Sequence, residues 1–396
     1  MWTLHEETIA VTDDNEHLGL IVSGQDEEAK NVDQNIQVSR SSLFALLGVA
    51  FSFKSKVSPT VQIHLWRTYC QPVLRSGLAA LPVRPAQFQC LTVFHHKVLR
   101  GFLKLSSTSP VPALYFLLGE MPMQAHADLD VLGLFHTIWS NPDTTIHEVI
   151  KYILKMSDDS SVTWAVHVRI LCQQYDLPDP LRLLQQEDAW PKSKWRNWCT
   201  TRVRAYHEKY WKEKSLTNSK MLFLHVQLLG LNGLHHPALF GLQTTRQVEK
   251  MRPHLKMLSG DYLTYSRIAL DRKAGDPSCR ICRTSPSQLV PPETIEHLLT
   301  ECKGTAEVRE RIFPELLNAL LLAQPNHPYL SCPPAFHKLD ITLAQFILDC
   351  TSFNLHSLYR LNINNDKLTT MFQVSRDFCY AVHSIRLKQL KVLKEK

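Results

Sequence analysis

Three cysteines and one histidine within residues 279–302 constrain the fold of this chain more than any other feature. Cys279 and Cys282 form a C-x2-C pair, and after a loop of fourteen residues His297 and Cys302 form an H-x4-C pair. Thiolates and neutral imidazole are the ligands that Zn²⁺ prefers, and four of them complete a tetrahedral shell. The spacing therefore predicts a closed, structural Zn²⁺ site rather than a hydrolytic one.

The segment around His297 is predicted to be helical. Thr294 is a suitable N-cap residue, and an apolar helical face follows it. A helix that ends near Thr300 brings His297 and Cys302 to the same metal ion. The alternative is a set of three buried cysteines beside a surface histidine. Burial without ligation is also our interpretation of the seven other cysteines among the ten, because free cysteine behaves as a small apolar residue.

Charge is distributed unevenly along the 396 residues. Residues 1–35 hold nine of the 37 acids and one of the 44 bases, so the rest of the chain carries 43 bases against 28 acids. This excess favours a polyanionic partner, either nucleic acid or an acidic membrane surface. The N-terminus lacks the features of a secretory leader, and no apolar run reaches the ~18 residues of a membrane span. We therefore expect an intracellular protein, nuclear or cytoplasmic, that is not inserted in a membrane.

Apolar residues recur mostly at helical intervals, which predicts a mainly α, multi-domain fold. A short N-terminal strand or hairpin and a small C-terminal zinc-binding module complete the predicted architecture. Changes in composition divide the chain into five segments: 1–30, 31–156, 157–240, 241–310 and 311–396.

Basic residues near aromatic or apolar positions are the candidates for contact with RNA or DNA. Residues 192–214 combine eight bases with five Trp or Tyr side chains, a mixture that suits phosphate contact and base stacking. An ordinary solvated helix face is the alternative for each group. The candidates are Lys97, Arg100 and Lys104; Lys192, Lys194, Trp195, Arg196, Arg202 and Arg204; and Lys250, Arg252 and Lys256.

No catalytic centre is expected. Asp13 and Asp14 are adjacent, but their polar neighbours indicate a turn, and no third carboxylate is placed near them. A glycine-rich phosphate loop, a nucleophile elbow and an H-E-x-x-H motif are all absent from the sequence.

The order of several motifs resembles the C-terminal part of the reverse transcriptases of non-LTR (jockey- or LINE-like) retrotransposons. Residues 16–20 (EHLGL) resemble the segment after the catalytic strands, and residues 42–47 and 66–77 resemble the helical thumb. Residues 258–263 (LSGDYL), together with the four metal ligands, resemble the zinc-binding tail, although the loop is longer than usual. The ordered set covers nearly the whole chain.

This resemblance implies a function for each segment. Residues 1–30 would be a remnant of the polymerase sheet, 31–156 a thumb-like domain, 157–240 a basic connector, 241–310 the CCHC module and 311–396 a helical region with a basic tail. The palm aspartates that bind Mg²⁺ would lie upstream of Met1, so we expect no polymerase activity from this chain. The alternatives are a zinc-stapled protein that binds other proteins and the tail of an active enzyme. The oligomeric state and the preference for RNA or DNA remain open.

Overall fold

The computed structural model describes residues 3–4, 7–8, 14–17, 19–47, 57–81, 83–158, 163–186, 188–273, 275–283, 289–323, 342–351 and 365–394. Helices predominate throughout, and the strands of these residues form two short antiparallel hairpins near the N-terminus. The predicted mainly α fold class is therefore confirmed. Asp13 lies outside the described residues.

The strands are β1 (Thr3–Leu4), β2 (Glu7–Thr8), β3 (Asp14–His17) and β4 (Leu20–Ser23). The first eight helices are α1 (Glu27–Leu47), α2 (Pro59–Leu65), α3 (Gln71–Leu74), α4 (Pro85–Leu103), α5 (Val111–Leu118), α6 (Met123–Trp139), α7 (Thr145–Met156) and α8 (Trp164–Gln174). The next eight are α9 (Pro180–Leu184), α10 (Lys192–Leu216), α11 (Thr245–Leu258), α12 (Tyr265–Arg272), α13 (Ile295–Thr300), α14 (Ala306–Ala323), α15 (Leu343–Leu348) and α16 (Asn365–Lys394).

The N-terminal hairpin turns at Gly19, whose φ of 80° is accessible to glycine at little cost. The turn joins the polar, exposed strand β3 to the apolar strand β4, so of the two expectations, a strand or a hairpin, the structure has a hairpin. Asp14 lies on β3 and pairs with Lys30 of α1 at 2.5 Å. This exposed ion pair gives the Asp14 carboxylate a partner on the neighbouring helix.

The chain divides into two compact units, each built from separate stretches of sequence. The first unit contains residues 1–51, 64–97 and 121–209, and the second contains 52–63, 98–120 and 210–396. The division of the sequence into five segments stays a prediction.

Aromatic packing dominates the core of the first unit. Phe135 and Trp139 of α6 meet Trp195 of α10, and the Trp139 and Trp195 ring centroids lie 5.6 Å apart, edge to face. The indole N–H of Trp195 donates to the Leu132 carbonyl at 2.9 Å, so its polar atom is satisfied inside the core. Residues of α8 complete this cluster.

The core of the second unit includes the buried helix α5 and one face of the long helix α16. Residues 112–118 of α5 are all buried, and α5 ends at Gly119 with φ 59°. A Cβ at Gly119 would lie 2.0 Å from the Leu234 carbonyl oxygen, so only glycine permits this approach. The long helix α16 packs against α11 and α14, and Arg376 donates to the carbonyls of Ala238 and Phe240.

Candidate functional site

A short antiparallel bridge closes the loop that carries the first two cysteines. Ser278 pairs with Pro292, the Cys279 N–H donates to the Pro291 carbonyl at 2.9 Å, and the Glu293 N–H donates to the Pro277 carbonyl at 2.8 Å. These bonds bring the start and the end of the loop side by side. As a result, Cys279 lies next to the helix that follows.

Helix α13 supplies the other half of the cluster, as the sequence predicts. The Thr294 hydroxyl accepts the His297 N–H at 3.0 Å and caps the helix. At the other end, the Cys302 N–H donates to the His297 carbonyl at 2.7 Å, so the chain turns tightly and Cys302 returns towards His297. The helix ends at Thr300, which is the geometry required for two ligands on one ion.

The four ligand atoms converge on one buried point. The Cys279 and Cys302 sulfurs are 3.8 Å apart, the Cys282 and Cys302 sulfurs 3.5 Å, and the Cys282 sulfur and His297 Nε2 3.4 Å. All four atoms lie within 4.8 Å of one another, and all four residues are buried. The cluster can therefore hold a metal ion.

Backbone amides point at two of the sulfurs. The Cys282 N–H bonds to the Cys279 sulfur and the Gly304 N–H to the Cys302 sulfur, and each bond favours a thiolate. The hydrogen bond between the two thiols raises the pKa of Cys279, with burial acting in the same direction, and lowers the pKa of Cys302. Gly304 has to be small, because a Cβ there would lie 2.1 Å from the Ile281 side chain.

Glu301 orients the histidine. Its carboxylate lies 3.4 Å from His297 Nδ1, which leaves Nε2 facing the sulfurs. Carboxylates behind a ligand histidine fix its tautomer and ring orientation in metal sites.

A buried ion pair joins this module to α16. Arg386 donates from Nε and Nη2 to Glu293 Oε1 at 3.2 and 2.7 Å, and the same oxygen accepts the Tyr265 N–H. Glu293 is fully buried and directly precedes the capping residue Thr294. Arg386 also lies over the rings of Tyr262 and Tyr265. The position of the metal cluster is therefore tied to the C-terminal helix.

Arg386 borders a cavity of about 600 Å³ in the second unit, which we term the basic cavity. Arg252 and Lys256 of α11 line it, and Asp261 accepts hydrogen bonds from the backbone and hydroxyl of Ser106 on another side. Arg252 and Lys256, two of the predicted nucleic-acid contacts, thus share a cavity with Arg386, which bonds Glu293 next to the metal cluster.

Lys104 lies close to the same group of cations. Helix α4 ends in a Schellman motif, with the Leu105 N–H donating to the Arg100 carbonyl at 3.1 Å and Lys104 at φ 57° where glycine is usual. Burial, with repulsion from Arg252, lowers the pKa of Lys104 to about 8. Arg100 does not continue a solvent-facing stripe, because its guanidinium bonds the Ser109 hydroxyl and carbonyl.

In α10, the most buried aromatic residue of the basic segment lies in the core, while several of its cations are exposed to solvent. Trp195 is 1% exposed in the core of the first unit, so the expected base stacking by Trp195 is replaced by a packing role. The reason is helical geometry, since Trp195, Cys199 and Val203 share one face at four-residue intervals and all are buried. Of the predicted contacts on this helix, Lys192, Lys194, Arg196 and Arg202 are exposed.

The other predicted contacts are dispersed. Lys97 is exposed in the first unit, and Arg204 is half-buried there. Lys250 pairs with Asp377 at 2.7 Å, and Arg202 pairs with Asp176 at 3.1 Å. Lys250 does not line the basic cavity, although it lies on the same helix as Arg252 and Lys256.

Several residues that shape the site were not singled out from the sequence. Glu301, one helical turn after His297, carries a detectable signal in its spacing. Glu293 and Arg386 are 93 positions apart, and no local pattern joins them.

No protein-family model, curated protein or solved structure matches this chain. Among the helices of the described ranges, none has both the length and the apolarity needed to cross a membrane.

Proposed function

We propose that this chain is a nucleic-acid-binding protein in which a structural Zn²⁺ holds the second unit in its binding form. The donor set supports zinc, because a tetrahedral ion with bonds of about 2.3 Å to sulfur and about 2.0 Å to nitrogen has ligand–ligand edges of about 3.5–3.8 Å. Three of the six separations between the ligand atoms are 3.4–3.8 Å, and all six lie within 4.8 Å. Four protein ligands fill such a shell, so the ion would stabilise the fold rather than activate water.

The observation that carries the binding proposal is the convergence of cations on the basic cavity. Arg252 and Lys256 line it together with Glu249 and Asp261, and burial, with repulsion from nearby Arg252, lowers the pKa of Lys104. Like charges held together in a concave surface raise the local potential and attract polyanions. Phosphate contact offsets the repulsion among these side chains, so we expect them to bind an RNA or DNA backbone.

A salt titration on the full chain tests this proposal. We expect the affinity for a short RNA or DNA to fall steeply with salt concentration, with a logarithmic slope of about −0.9 per phosphate contact on duplex DNA. The double substitution Arg252→Glu/Lys256→Glu should flatten the slope and weaken binding at least about tenfold. Arg311→Glu/Lys391→Glu is the matched control, because both residues are exposed and neither lines the cavity.

A salt-independent or absent signal would contradict the proposal and favour protein binding, the second candidate function. One observation supports that candidate. Ile146, Val149, Tyr152 and Met156 expose much of their apolar surface along α7, with exposures of 45–65%. Apolar stripes of this kind mark protein contacts in other systems.

The resemblance to the tail of a non-LTR reverse transcriptase stays a proposal about origin. It agrees with a binding role, because the polymerase aspartates have no counterpart among the predicted site residues. Primer extension with Mg²⁺ by the purified chain is the direct test, and we expect no product. Extension of a primer would instead identify this chain as an enzyme.

A further inference from the structure

A second concave site lies in the first unit, in the groove between α6 and the first two turns of α10. The groove has a volume of about 560 Å³, within the range of small-ligand sites. Its apolar floor includes Leu129 and Leu134 of α6, while Lys192 and Arg196 of α10 stand at its edge and are exposed. It therefore offers an apolar surface next to positive charge.

Gly133 lies in the middle of α6 and lines this groove. A Cβ built at Gly133 would meet no heavy atom within 4 Å, so no neighbouring group requires a glycine there. A glycine in a helix interior lowers helix stability relative to alanine, and here its φ is not positive. The missing side chain thus leaves a flat stretch of backbone exposed to the groove without any benefit to packing.

Arg75 lines the groove, and its guanidinium is only partly hydrogen-bonded. Arg75 donates from Nη1 to Asp130 Oδ2 at 2.5 Å and to the His126 carbonyl at 3.2 Å. Its buried Nε has no hydrogen-bond partner among the described residues. With Lys192 and Arg196, the groove has three cationic side chains against the single carboxylate of Asp130.

The geometry points to a binding site for one unpaired nucleotide of a single-stranded nucleic acid, with its base on the Gly133 face and its phosphate at Lys192 and Arg196. A planar base is thin enough to lie on backbone that lacks a side chain, and the apolar floor covers its ring. A base inside a duplex is stacked and paired, so it does not reach such a groove without being extruded. This inference rests on the proposed nucleic-acid-binding function.

Gly133→Leu on the full chain tests the inference without a change of charge. The probes are a fluorescein-labelled ten-nucleotide oligoadenylate RNA and a blunt ten-base-pair RNA duplex, followed by fluorescence anisotropy. We expect Gly133→Leu to weaken binding of the single strand about fivefold or more, because the leucine side chain would fill the space of the base and remove its apolar contact with the groove. Binding of the duplex should not change. Gly133→Ala should keep or raise the melting temperature, which shows that the helix tolerates a side chain there.

A matched pair of charge substitutions on α10 provides a second test of the groove site. Lys192→Glu should weaken single-strand binding more than Lys209→Glu, since both lysines are exposed on the same helix but only Lys192 lines the groove. Wild-type affinity in Gly133→Leu, with Lys192→Glu no weaker than Lys209→Glu, would overturn the groove site while leaving the basic cavity in place. If the wild-type chain binds neither probe, the proposed function itself fails and the groove site fails with it.

Discussion

The metal cluster and helix α10 were both predicted to be functional from sequence patterns of similar length. The structure brings the predicted residues together in the cluster but not in α10. In the cluster, residues 279–302 bring all four ligands to one point. In α10, residues 192–214 place Trp195 in the core and leave Lys192, Lys194 and Arg196 outside. The spacing of the four ligands predicts that their side chains lie close together. The mixture of basic and aromatic residues in α10 does not predict which face of the helix is exposed to solvent. The following predictions test that difference, beginning with the largest expected effect.

Removal of a metal ligand should have the largest effect. We expect Cys282→Ser and His297→Ala to lose bound zinc and to unfold the module, because structural zinc in small modules contributes about 10–16 kcal/mol of apparent binding free energy. Zinc content and the melting temperature, with and without a chelator, measure this. Cys90→Ser is the control, since Cys90 is exposed and lies outside the cluster. Equal zinc content in all variants would contradict the prediction that these residues bind zinc.

Arg386→Ala should destabilise the second unit by about 3–5 kcal/mol, because it leaves the buried Glu293 carboxylate without its charged partner. Urea denaturation of the zinc-loaded protein gives the free energy of unfolding. Arg267→Ala removes a more exposed pair with Asp271, at 3.1 Å, and should cost less than about 1 kcal/mol. Similar losses in the two variants would show that the metal module does not depend on α16.

Trp195→Ala should lower the free energy of unfolding of the first unit by about 3–5 kcal/mol through loss of core packing. Lys209→Ala, at an exposed position on the same helix and in the same unit, should change it by less than about 0.5 kcal/mol. Chemical denaturation followed by circular dichroism distinguishes them. A stable Trp195→Ala protein with impaired RNA binding would restore the stacking role expected from the sequence.

A buried cluster in the first unit should give opposite pH responses in two single variants. The Tyr175 hydroxyl donates to Asp128 Oδ2 and lies 3.0 Å from His207 Nε2. Burial raises the pKa of Asp128 to about 6 and lowers the pKa of His207 to about 4. Between about pH 4 and 6, folding therefore takes up a proton at Asp128 and releases one at His207.

The two contributions oppose each other in the wild-type protein. Asp128→Asn leaves the His207 contribution, so stability should rise with pH across this window, by up to about 1.4 kcal/mol per unit. His207→Gln leaves the Asp128 contribution, so stability should fall with pH. Urea denaturation at half-unit pH intervals gives both slopes. Equal slopes in the two variants would contradict the assignment.

The sequence was sufficient for the metal cluster because its information is local. Thr294 as the cap and the helix end at Thr300 bring His297 and Cys302 together, and each follows from short-range rules. The mainly α class follows equally from periodicity. The four-residue interval of Trp195, Cys199 and Val203 was also visible in the sequence, and it predicts the buried face better than composition does.

Tertiary contacts account for what the sequence left out. Nothing near Glu293 identifies Arg386 as its partner, because the pairing depends on how α16 packs against α11 and α14. Helical spacing would bring Lys104 onto the same face as Arg100 only if α4 continued past Lys104. The helix instead ends at Leu103, and Lys104 takes the left-handed position after it.

Burial near Arg252 should make Lys104 more reactive than an ordinary lysine. With a pKa of about 8, roughly a tenth of its amine is neutral at pH 7, against less than about a thousandth for an ordinary lysine. Only the neutral amine attacks acyl donors, so an acylating reagent at neutral pH should modify Lys104 well ahead of exposed lysines such as Lys209. Peptide mass mapping at short reaction times would display that order. Burial of one amine at the end of a helix, with Arg252 nearby, would thus direct covalent modification to that lysine.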